Sequence, residues 1–261
     1  MDMTRLVVLG TSCDATWIVT RALRERFGPI PLLLEPRVSR THLVRQRIRR
    51  LGLARVAGQL AFQVGVQPWL TRRAADRIAS ICGRAGLDRR PVTDDVSALP
   101  PVNDPEAQRT LVDLAPRLVI LSGTRIVGSE TLRATGCPFI NLHAGITPFG
   151  RGVHGGWWAI ADGRPELCGS TVHRVDEGID SGQALAQVSF HPEPGDDFAS
   201  LPYRHLETGI PALLMVVESL LADRSVPPIL VPPMPSRLRT HPTITQYFLG
   251  ARRLRALVSR P

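Results

Sequence analysis

The chain has 261 residues, of which 43% are hydrophobic and 21% are charged, a composition that is typical of globular proteins and excludes intrinsic disorder. It contains no run of about 18 apolar residues, and its first residues lack the apolar core of a signal peptide, so we expect neither a transmembrane helix nor export. The cysteines, at positions 13, 82, 137 and 168, show no paired spacing. Isolated thiols favour a reduced, cytoplasmic protein.

The formal net charge is +9, and all 32 basic residues are arginines. Two segments, 36–75 and 225–261, are rich in arginine and contain no acidic residue. Such segments attract anionic partners, namely RNA, an acidic protein or a lipid surface, although a solvated basic face is the simpler interpretation. Because the sequence has neither a stacked-aromatic platform nor zinc-finger spacing, we expect no specific nucleic acid partner.

Short apolar runs alternate with helical patterns along the chain. Strands are predicted at 5–10, 29–36, 116–123, 137–143, 168–175 and 182–190. Helices are predicted at 14–27, within 40–85, near 105–114 and at 198–224. Asp14 is the expected N-cap of the first helix. The alternation predicts an α/β fold with a mainly parallel sheet, which binds ligands at the carboxyl ends of its strands.

Two motifs that suggest other chemistry fail on context. Residues 150–155, "GRGVHG", match the dinucleotide-binding pattern, but a loop separates them from the strand that ends near His143, whereas the pattern requires a tight strand-to-helix turn. A zinc site formed by His143, His154, Cys168 and His173 would have spacings that fit no common ligand pattern. We therefore expect neither a nicotinamide site nor a metal.

The stretch "NLH" at 141–143 carries more specific chemistry. Alternate residues of a strand face the same side, so Asn141 and His143 project together while Leu142 points into the core. An amide and an imidazole so placed can both donate hydrogen bonds to one oxyanion. Taken alone, the pair fits better a strand end whose polar side chains bond to loop backbone.

An acidic turn that ends at Asp180 follows the strand at 168–175. A carboxylate beside His143 would raise the pKa of the imidazole by charge attraction and hydrogen bonding. Together, the amide, the imidazole and the carboxylate form a set that can stabilise an oxyanion and handle a proton during attack on an acyl or formyl carbon.

The residues "NLH", a Thr-Pro loop, "RG" and "GSTVHRVDEGIDSG" at 169–182 closely resemble the formyltransferase family that uses 10-formyltetrahydrofolate. That family includes glycinamide ribonucleotide, methionyl-tRNA and sugar N-formyltransferases. The resemblance is strongest over 117–190 and implies a Rossmann-like formyltransferase fold with helices on both faces of the sheet. It implies a catalytic domain at 1–224 with an Arg-rich helical insertion at about 37–85, followed by a proline-rich link and basic tail at 225–261.

The resemblance also implies residue roles. It assigns Asn141, His143 and Asp180 to catalysis, with His173 as a supporting residue from the strand before the acidic turn. It implies that the pterin ring of 10-formyltetrahydrofolate is held by two backbone segments, formed by Arg125, Ile126 and Val127 and by Asp176, Glu177, Gly178 and Ile179. It requires no metal.

Departures from the family pattern bear on the acceptor. Asp14 stands in the loop that binds phosphate in the glycinamide ribonucleotide enzymes, and a carboxylate there would repel a phosphate. The segment 225–261 is short for a tRNA-binding domain. We therefore expect the acceptor to be a small molecule with a primary amine, an amino sugar or another biosynthetic amine. Arg151 and His154 are expected to contact it, and the guanidinium of Arg151 favours an acceptor with an anionic group.

Several alternatives stay open at this point. One is a hydrolase that releases formate from 10-formyltetrahydrofolate, although the deformylases of the family carry an N-terminal regulatory domain that is not recognised here. Another is glycinamide ribonucleotide formyltransferase, and a third is a non-catalytic binding protein. Trp157 and Trp158 are adjacent on a helix expected to start near Gly155, so at most one is expected to face a cleft. Sequence does not predict the oligomeric state.

Overall fold

The computed structural model describes residues 6–231 and 233–259. Its strands, in chain order, are β1 (Leu6–Gly10), β2 (Leu32–Leu34), β3 (Val96–Ala98), β4 (Leu118–Ser122), β5 (Phe139–His143), β6 (Gly150–Gly152), β7 (Gly169–Arg174), β8 (Ala184–Ser189) and β9 (Arg237–Arg239). Its α-helices are α1 (Asp14–Phe27), α2 (Arg40–Leu51), α3 (Leu53–Ala61), α4 (Gln67–Arg73), α5 (Ala75–Ala85), α6 (Pro105–Leu114), α7 (Ser129–Thr135), α8 (Gly155–Ala161), α9 (Leu201–Leu221) and α10 (Ile244–Val258). A π-helical turn at Phe62–Val66 joins α3 to α4.

The main sheet has seven strands in the order β3-β2-β1-β4-β5-β7-β8. The first five strands of that order run parallel, whereas β7 runs antiparallel to both β5 and β8. The predicted mainly parallel α/β fold is confirmed. The chain order reverses between β1 and β4, and such a reversal opens a crevice at the carboxyl ends of the strands.

Helices cover both faces of the sheet because the strands are apolar on both sides. One core combines alternate residues of β1 and β4, such as Val8 and Ile120, with α1 and α9. The other takes the intervening residues, such as Leu9 and Val119, and packs them against α6. As a result, α1 and α9 lie on one face of the sheet beside β4 and β5, and α6 lies on the other face.

All six sequence-predicted strands are present, as are helices at 14–27, within 40–85, at 105–114 and at 198–224. The predicted cap is displaced by one residue: Cys13 is the N-cap of α1, and Asp14 is its first helical residue. The carboxylate of Asp14 accepts a hydrogen bond from the hydroxyl of Tyr203 at 2.7 Å, which ties α1 to α9. Among the described residues, no helix is both long and apolar enough to cross a membrane.

The C-terminal segment returns to the middle of the chain. β9 pairs in parallel with β6, and α10 packs on α8 and α3. α10 begins with a capping box in which the Thr243 hydroxyl accepts from the Gln246 N–H and the Gln246 side chain accepts from the Thr243 N–H. The predicted domain division after residue 224 remains a prediction.

The β6–β9 pairing depends on the backbone of Gly152. Its φ is +90°, and a Cβ at this position would collide with the carbonyl oxygen of Arg239. Gly163 has a similar φ of +77° with no atom within 4 Å of the same hypothetical Cβ. Both replacements by alanine incur the backbone penalty of about 1–2 kcal/mol for a left-handed L-residue.

We predict that Gly152→Ala lowers the free energy of unfolding by clearly more than Gly163→Ala does, because it also displaces β9. Urea unfolding of both variants measures the difference. Equal losses in the two variants would show that the β6–β9 contact contributes nothing to stability.

Candidate active site

The predicted catalytic residues converge at the end of β5. Oδ1 of Asp180 lies 3.4 Å from Nδ1 of His143 and 3.5 Å from Nδ2 of Asn141. Asn141 and His143 point to the same face of the sheet, while Leu142 packs into the core shared with α1 and α9. Residues that are 39 positions apart in the chain thus form one polar cluster.

His173 joins this cluster through the antiparallel register of β7, which places it directly opposite Asn141. Its Nε2 lies 3.2 Å from the Asn141 amide nitrogen, and its Nδ1 lies 2.8 Å from the Arg174 carbonyl oxygen. An Nδ1–H that donates to the carbonyl leaves Nε2 as the acceptor for the amide, so His173 fixes the orientation of Asn141.

The pKa of His143 differs from the sequence expectation. His143 is buried, and burial lowers its pKa; the charge of Asp180 and the Gly150 carbonyl, whose oxygen lies 2.5 Å from Nε2, oppose the shift without reversing it. Asp180 raises the pKa of His143 as expected, but the net shift is downward because the loss of water around the ring outweighs the attraction.

Asp180 remains ionised. Burial alone would raise the pKa of its carboxyl, but the nearby rings of His173 and His143 and the N–H of Gly152 together lower it. The Gly152 nitrogen lies 2.9 Å from Oδ2. Asp180 itself has a φ of 47°, a left-handed conformation that non-glycine residues adopt rarely and often at functional sites.

Arg151 has partners other than the expected one. Its Nε donates to the Ile179 carbonyl at 2.7 Å, and its Nη1 to the Ser236 hydroxyl at 3.2 Å. The side chain therefore fastens the turn that carries Asp180 and does not line the cleft. The guanidinium has this structural role because the loop that carries Arg151 lies beside the turn that carries Ile179. The two segments are far apart in the sequence, so the contact was not predicted.

In the glycine-rich loop between β5 and α8, two segments of backbone approach each other closely. A Cβ on Gly155 would lie 2.5 Å from both the Ala144 carbonyl oxygen and the Gly145 Cα. Glycine is therefore required here by space, and α8 can start directly beneath the end of β5. This packing accounts for the last glycine of "GRGVHG", the segment that matches the dinucleotide-binding pattern.

The loop 123–127 after β4 is held by a carboxylate that the sequence analysis missed. Glu35, which is buried, accepts from the backbone N–H of Arg125 at 2.7 Å, from its Nε at 2.6 Å and from the Val102 N–H at 3.1 Å. The available signal was a lone acid directly after an apolar strand, at the sheet edge where ligands bind.

These elements enclose a cleft of about 640 Å³. Most predicted site residues line it, namely Asn141, His143, Asp180, His173, His154, Arg125, Ile126, Val127, Asp176, Gly178 and Ile179. Glu177, Arg151 and Asp14 do not; the Glu177 side chain is 74% exposed, with Arg133 at 3.9 Å. Among the described residues, no group of three or more His, Cys, Asp or Glu side chains is arranged to hold a metal ion.

Further histidines surround the cleft in uncharged form. Burial lowers the pKa of His154 to about 3, that of His205 to about 3 and that of His241 to about 4. His154 and His241 lie 3.0 Å apart, Nε2 to Nδ1, and Nδ1 of His205 lies 3.1 Å from the Ser170 hydroxyl. A single N–H shared between two rings satisfies the histidine pair without a net charge.

The comparisons agree with this architecture. The model of the family described as Formyl transferase matches residues 95–217. Methionyl-tRNA formyltransferase of Anaeromyxobacter dehalogenans (strain 2CP-C) is 31% identical over 185 residues, which cover 65% of this chain and 59% of that protein. The enzyme of the same name from Anaeromyxobacter sp. (strain K) is 34% identical over 134 residues, 49% of this chain and 43% of that one.

A sugar N-formyltransferase from Shewanella sp FDAARGOS_354 has the same fold: the two structures align with a TM-score of 0.58 at 14% identity, over 97% of this chain and 88% of that one. The chain spans only 43% and 59% of the length of the two methionyl-tRNA formyltransferases. Fold, motif and family match agree for residues 95–217, which contain the cluster and match the formyltransferase family.

We predict that the buried histidines make stability fall with acidification. Below the ordinary histidine pKa of 6.5 the unfolded chain binds protons that folded His205, with a pKa of about 3, does not bind. The free energy of unfolding therefore declines as pH falls from 6.5 towards 4, by up to about 1.4 kcal/mol per pH unit for each such histidine.

Urea unfolding between pH 7 and pH 4 measures the slope. His205→Gln should reduce it, whatever its effect on absolute stability, and the control His191→Gln, at an exposed site, should not. Unchanged slopes in both variants would mean that His205 is protonated in the folded protein.

Proposed function

We propose that this protein transfers the formyl group of 10-formyltetrahydrofolate to a primary amine of a small molecule, either an amino sugar or another biosynthetic amine. The observation that carries the proposal is the convergence of Asn141, His143 and Asp180 within 3.5 Å at the wall of one cleft. Amide, imidazole and ionised carboxylate are the groups that acyl transfer to an amine requires.

The cluster divides the chemistry as follows. The amine nitrogen bonds to the formyl carbon, and the Asn141 amide and the His143 ring donate hydrogen bonds to the resulting oxyanion. The Asp180 carboxylate accepts the proton that the attacking amine loses. The bond between the formyl carbon and the folate nitrogen then breaks, and that nitrogen takes up the proton that Asp180 accepted.

The lowered pKa of His143 strengthens the effect in the transition state. Burial favours the neutral ring. A developing oxyanion beside it strengthens the hydrogen bond that this ring donates, so the interaction grows as the negative charge forms. Interactions that are stronger in the transition state than in the ground state are those that accelerate the reaction.

The loop Arg125–Val127 and the turn Asp176–Ile179 would hold the folate. They flank the catalytic cluster and combine backbone polar groups with apolar side chains such as Leu121 and Val175 along the cleft. A flat heterocycle with polar edges needs that combination. The hydrogen bonds from Arg125 to Glu35 keep the loop in place before the ligand arrives.

One assay separates this proposal from its alternatives. Turnover of 10-formyltetrahydrofolate is measured with no acceptor, with pools of amino sugars and other small amines, and with methionyl-tRNA, the acceptor in the names of the matched relatives. Release of tetrahydrofolate that depends on a small amine supports the proposal. Formate release without any amine would show a hydrolase, dependence on methionyl-tRNA alone would show a tRNA-directed enzyme, and no turnover would contradict all three.

Variants of the cluster test the roles of its residues. We predict that Asp180→Asn and His143→Ala lower turnover by orders of magnitude, since the first removes the proton acceptor and the second an oxyanion donor. Asn141→Ala should cost about two to three decades, as expected for the loss of one oxyanion donor. Steady-state kinetics measure the losses, and circular dichroism verifies folding.

The control is Asp113→Asn, an equivalent change at an exposed position of α6, which should retain wild-type turnover. Near-wild-type activity in any two of the three cluster variants would overturn the catalytic assignment.

A further inference from the structure

The part of the cleft away from the folate segments has an apolar lining. Val153, Trp157, Phe198, Leu201 and Pro202 line the cleft, from the start of α8 and the start of α9. Trp157 and Phe198 contact edge to face with ring centroids 5.2 Å apart. These elements approach the catalytic cluster from the side of α1 and α9, whereas the loop 123–127 leads into α7, which packs on α6.

The polar side chains in this apolar part are uncharged at neutral pH. His154 and His205 both line it, and burial lowers the pKa of each to about 3. The His154 ring also lies against Phe198, with centroids 4.6 Å apart. Neutral imidazoles offer hydrogen bonds to an uncharged ligand and no attraction to an anion.

The two arginine side chains near the catalytic cluster, Arg125 and Arg151, already have hydrogen-bond partners within the protein. Among the described residues, Arg125 is the one arginine in the lining, and its Nε is paired with the buried Glu35 at 2.6 Å. Arg151, outside the lining, donates to the Ile179 carbonyl. The carboxyl groups left facing the cleft are those of Asp176, which is exposed, and of Asp180. An anion placed beside the cluster would therefore meet the negative charge of the largely buried Asp180.

Residues of the C-terminal segment, 225–261, form hydrogen bonds to residues in and beside the apolar part of the cleft. His241 bonds to His154, and the Thr240 carbonyl accepts from Nε1 of Trp158 at 3.0 Å. Gln59, from α3, donates to the His241 carbonyl at 2.7 Å. The apolar part of the cleft is therefore fixed by residues from the Arg-rich helical segment and from the C-terminal segment, which both lie far along the chain from the catalytic motif.

From these observations we infer that the acceptor amine is carried on an uncharged, apolar group, and that acceptors with a phosphate or carboxylate near the amine are disfavoured. The inference rests on the proposed function and narrows its substrate class. It replaces the sequence-based expectation of an anionic acceptor bound by Arg151. The apolar group packs against the exposed surfaces of Val153 and Pro202, which lie over the buried rings of Trp157 and Phe198, and the amine lies towards Asp180.

Amines that share a skeleton and differ in an anionic group test the inference, with each kcat/KM expressed per unprotonated amine because the anionic group also changes the pKa of the amine. We compare phenylalaninamide with phenylalanine, and glucosamine with glucosamine 6-phosphate, as acceptors with saturating 10-formyltetrahydrofolate. The uncharged member of each pair should have at least a tenfold higher kcat/KM. Equal values, or a higher value for the anionic member, would overturn the inference.

A charge introduced at the rim provides the matched variants. Val153 is 39% exposed and lines the cleft, so Val153→Arg places a cation there, while Val153→Gln adds a long polar side chain without charge. Val153→Arg should shift the preference about tenfold towards the anionic members, and Val153→Gln should not. Equal shifts in both variants would show that size, and not charge, sets the preference.

A binding measurement separates this inference from the proposed function. If no amine is formylated, the proposed function fails, and ligand-observed NMR of the same pairs with the wild-type protein still measures which member binds. Tighter binding of the uncharged members supports the inference in that case. Equal binding, or tighter binding of the anionic members, refutes it.

Discussion

The carboxylate of Asp180 accepts a hydrogen bond from the Gly152 N–H and lies within 3.6 Å of a ring nitrogen of both His143 and His173. Through these contacts it joins β5, β7 and the glycine-rich loop. Since β6 of that loop also pairs with β9, the same carboxylate is connected to the C-terminal segment. A buried charge must be matched by donors on all sides, and this requirement fixes the relative positions of these elements.

Burial decides the protonation of the site more than charge pairing does. The nearby carboxylate does not compensate for the desolvation of His143, and His154 and His205 are desolvated without any carboxylate to oppose it. The result is one ionised acid surrounded by neutral rings. Such a site suits a reaction that starts from uncharged groups and develops charge, because the charge is stabilised only when it forms.

Much of the fold was predictable because its signals are local. The apolar runs of β1, β4 and β5 and the periodic pattern of α1 follow from residue types within a few positions of each other. The short elements were missed for the same reason: β6 consists of "GRG" and β9 of "RLR", which have no strand propensity and exist only because they pair. The capping box of α10 was recognisable in "TITQ", but the basic composition of the segment concealed the helix.

The candidate site likewise contains residues that a local motif predicts and contacts that no local pattern predicts. The roles assigned to Asn141, His143 and Asp180 came from a motif, and their mutual distances agree with it. The contacts of His241 and the Gly150 carbonyl carry no sequence signature, because each consists of one polar group that meets another from a distant part of the chain. For Glu35 the sequence shows an acid after an apolar strand but not the N–H groups that it binds. Arg151 shows the converse. The sequence suggested a cation available to a ligand, whereas in the structure its guanidinium donates to the Ile179 carbonyl.

The sequence by itself determined the fold class, the order of the principal strands and helices, and which residues form the candidate catalytic cluster. These follow from hydrophobic periodicity and from a compact motif. Only the tertiary structure decided that burial lowers the pKa of His143, that Arg151 faces a backbone carbonyl and that one part of the cleft has an apolar lining. Protonation and charge availability depend on which groups are desolvated together, and desolvation is a property of the packed chain, not of any segment.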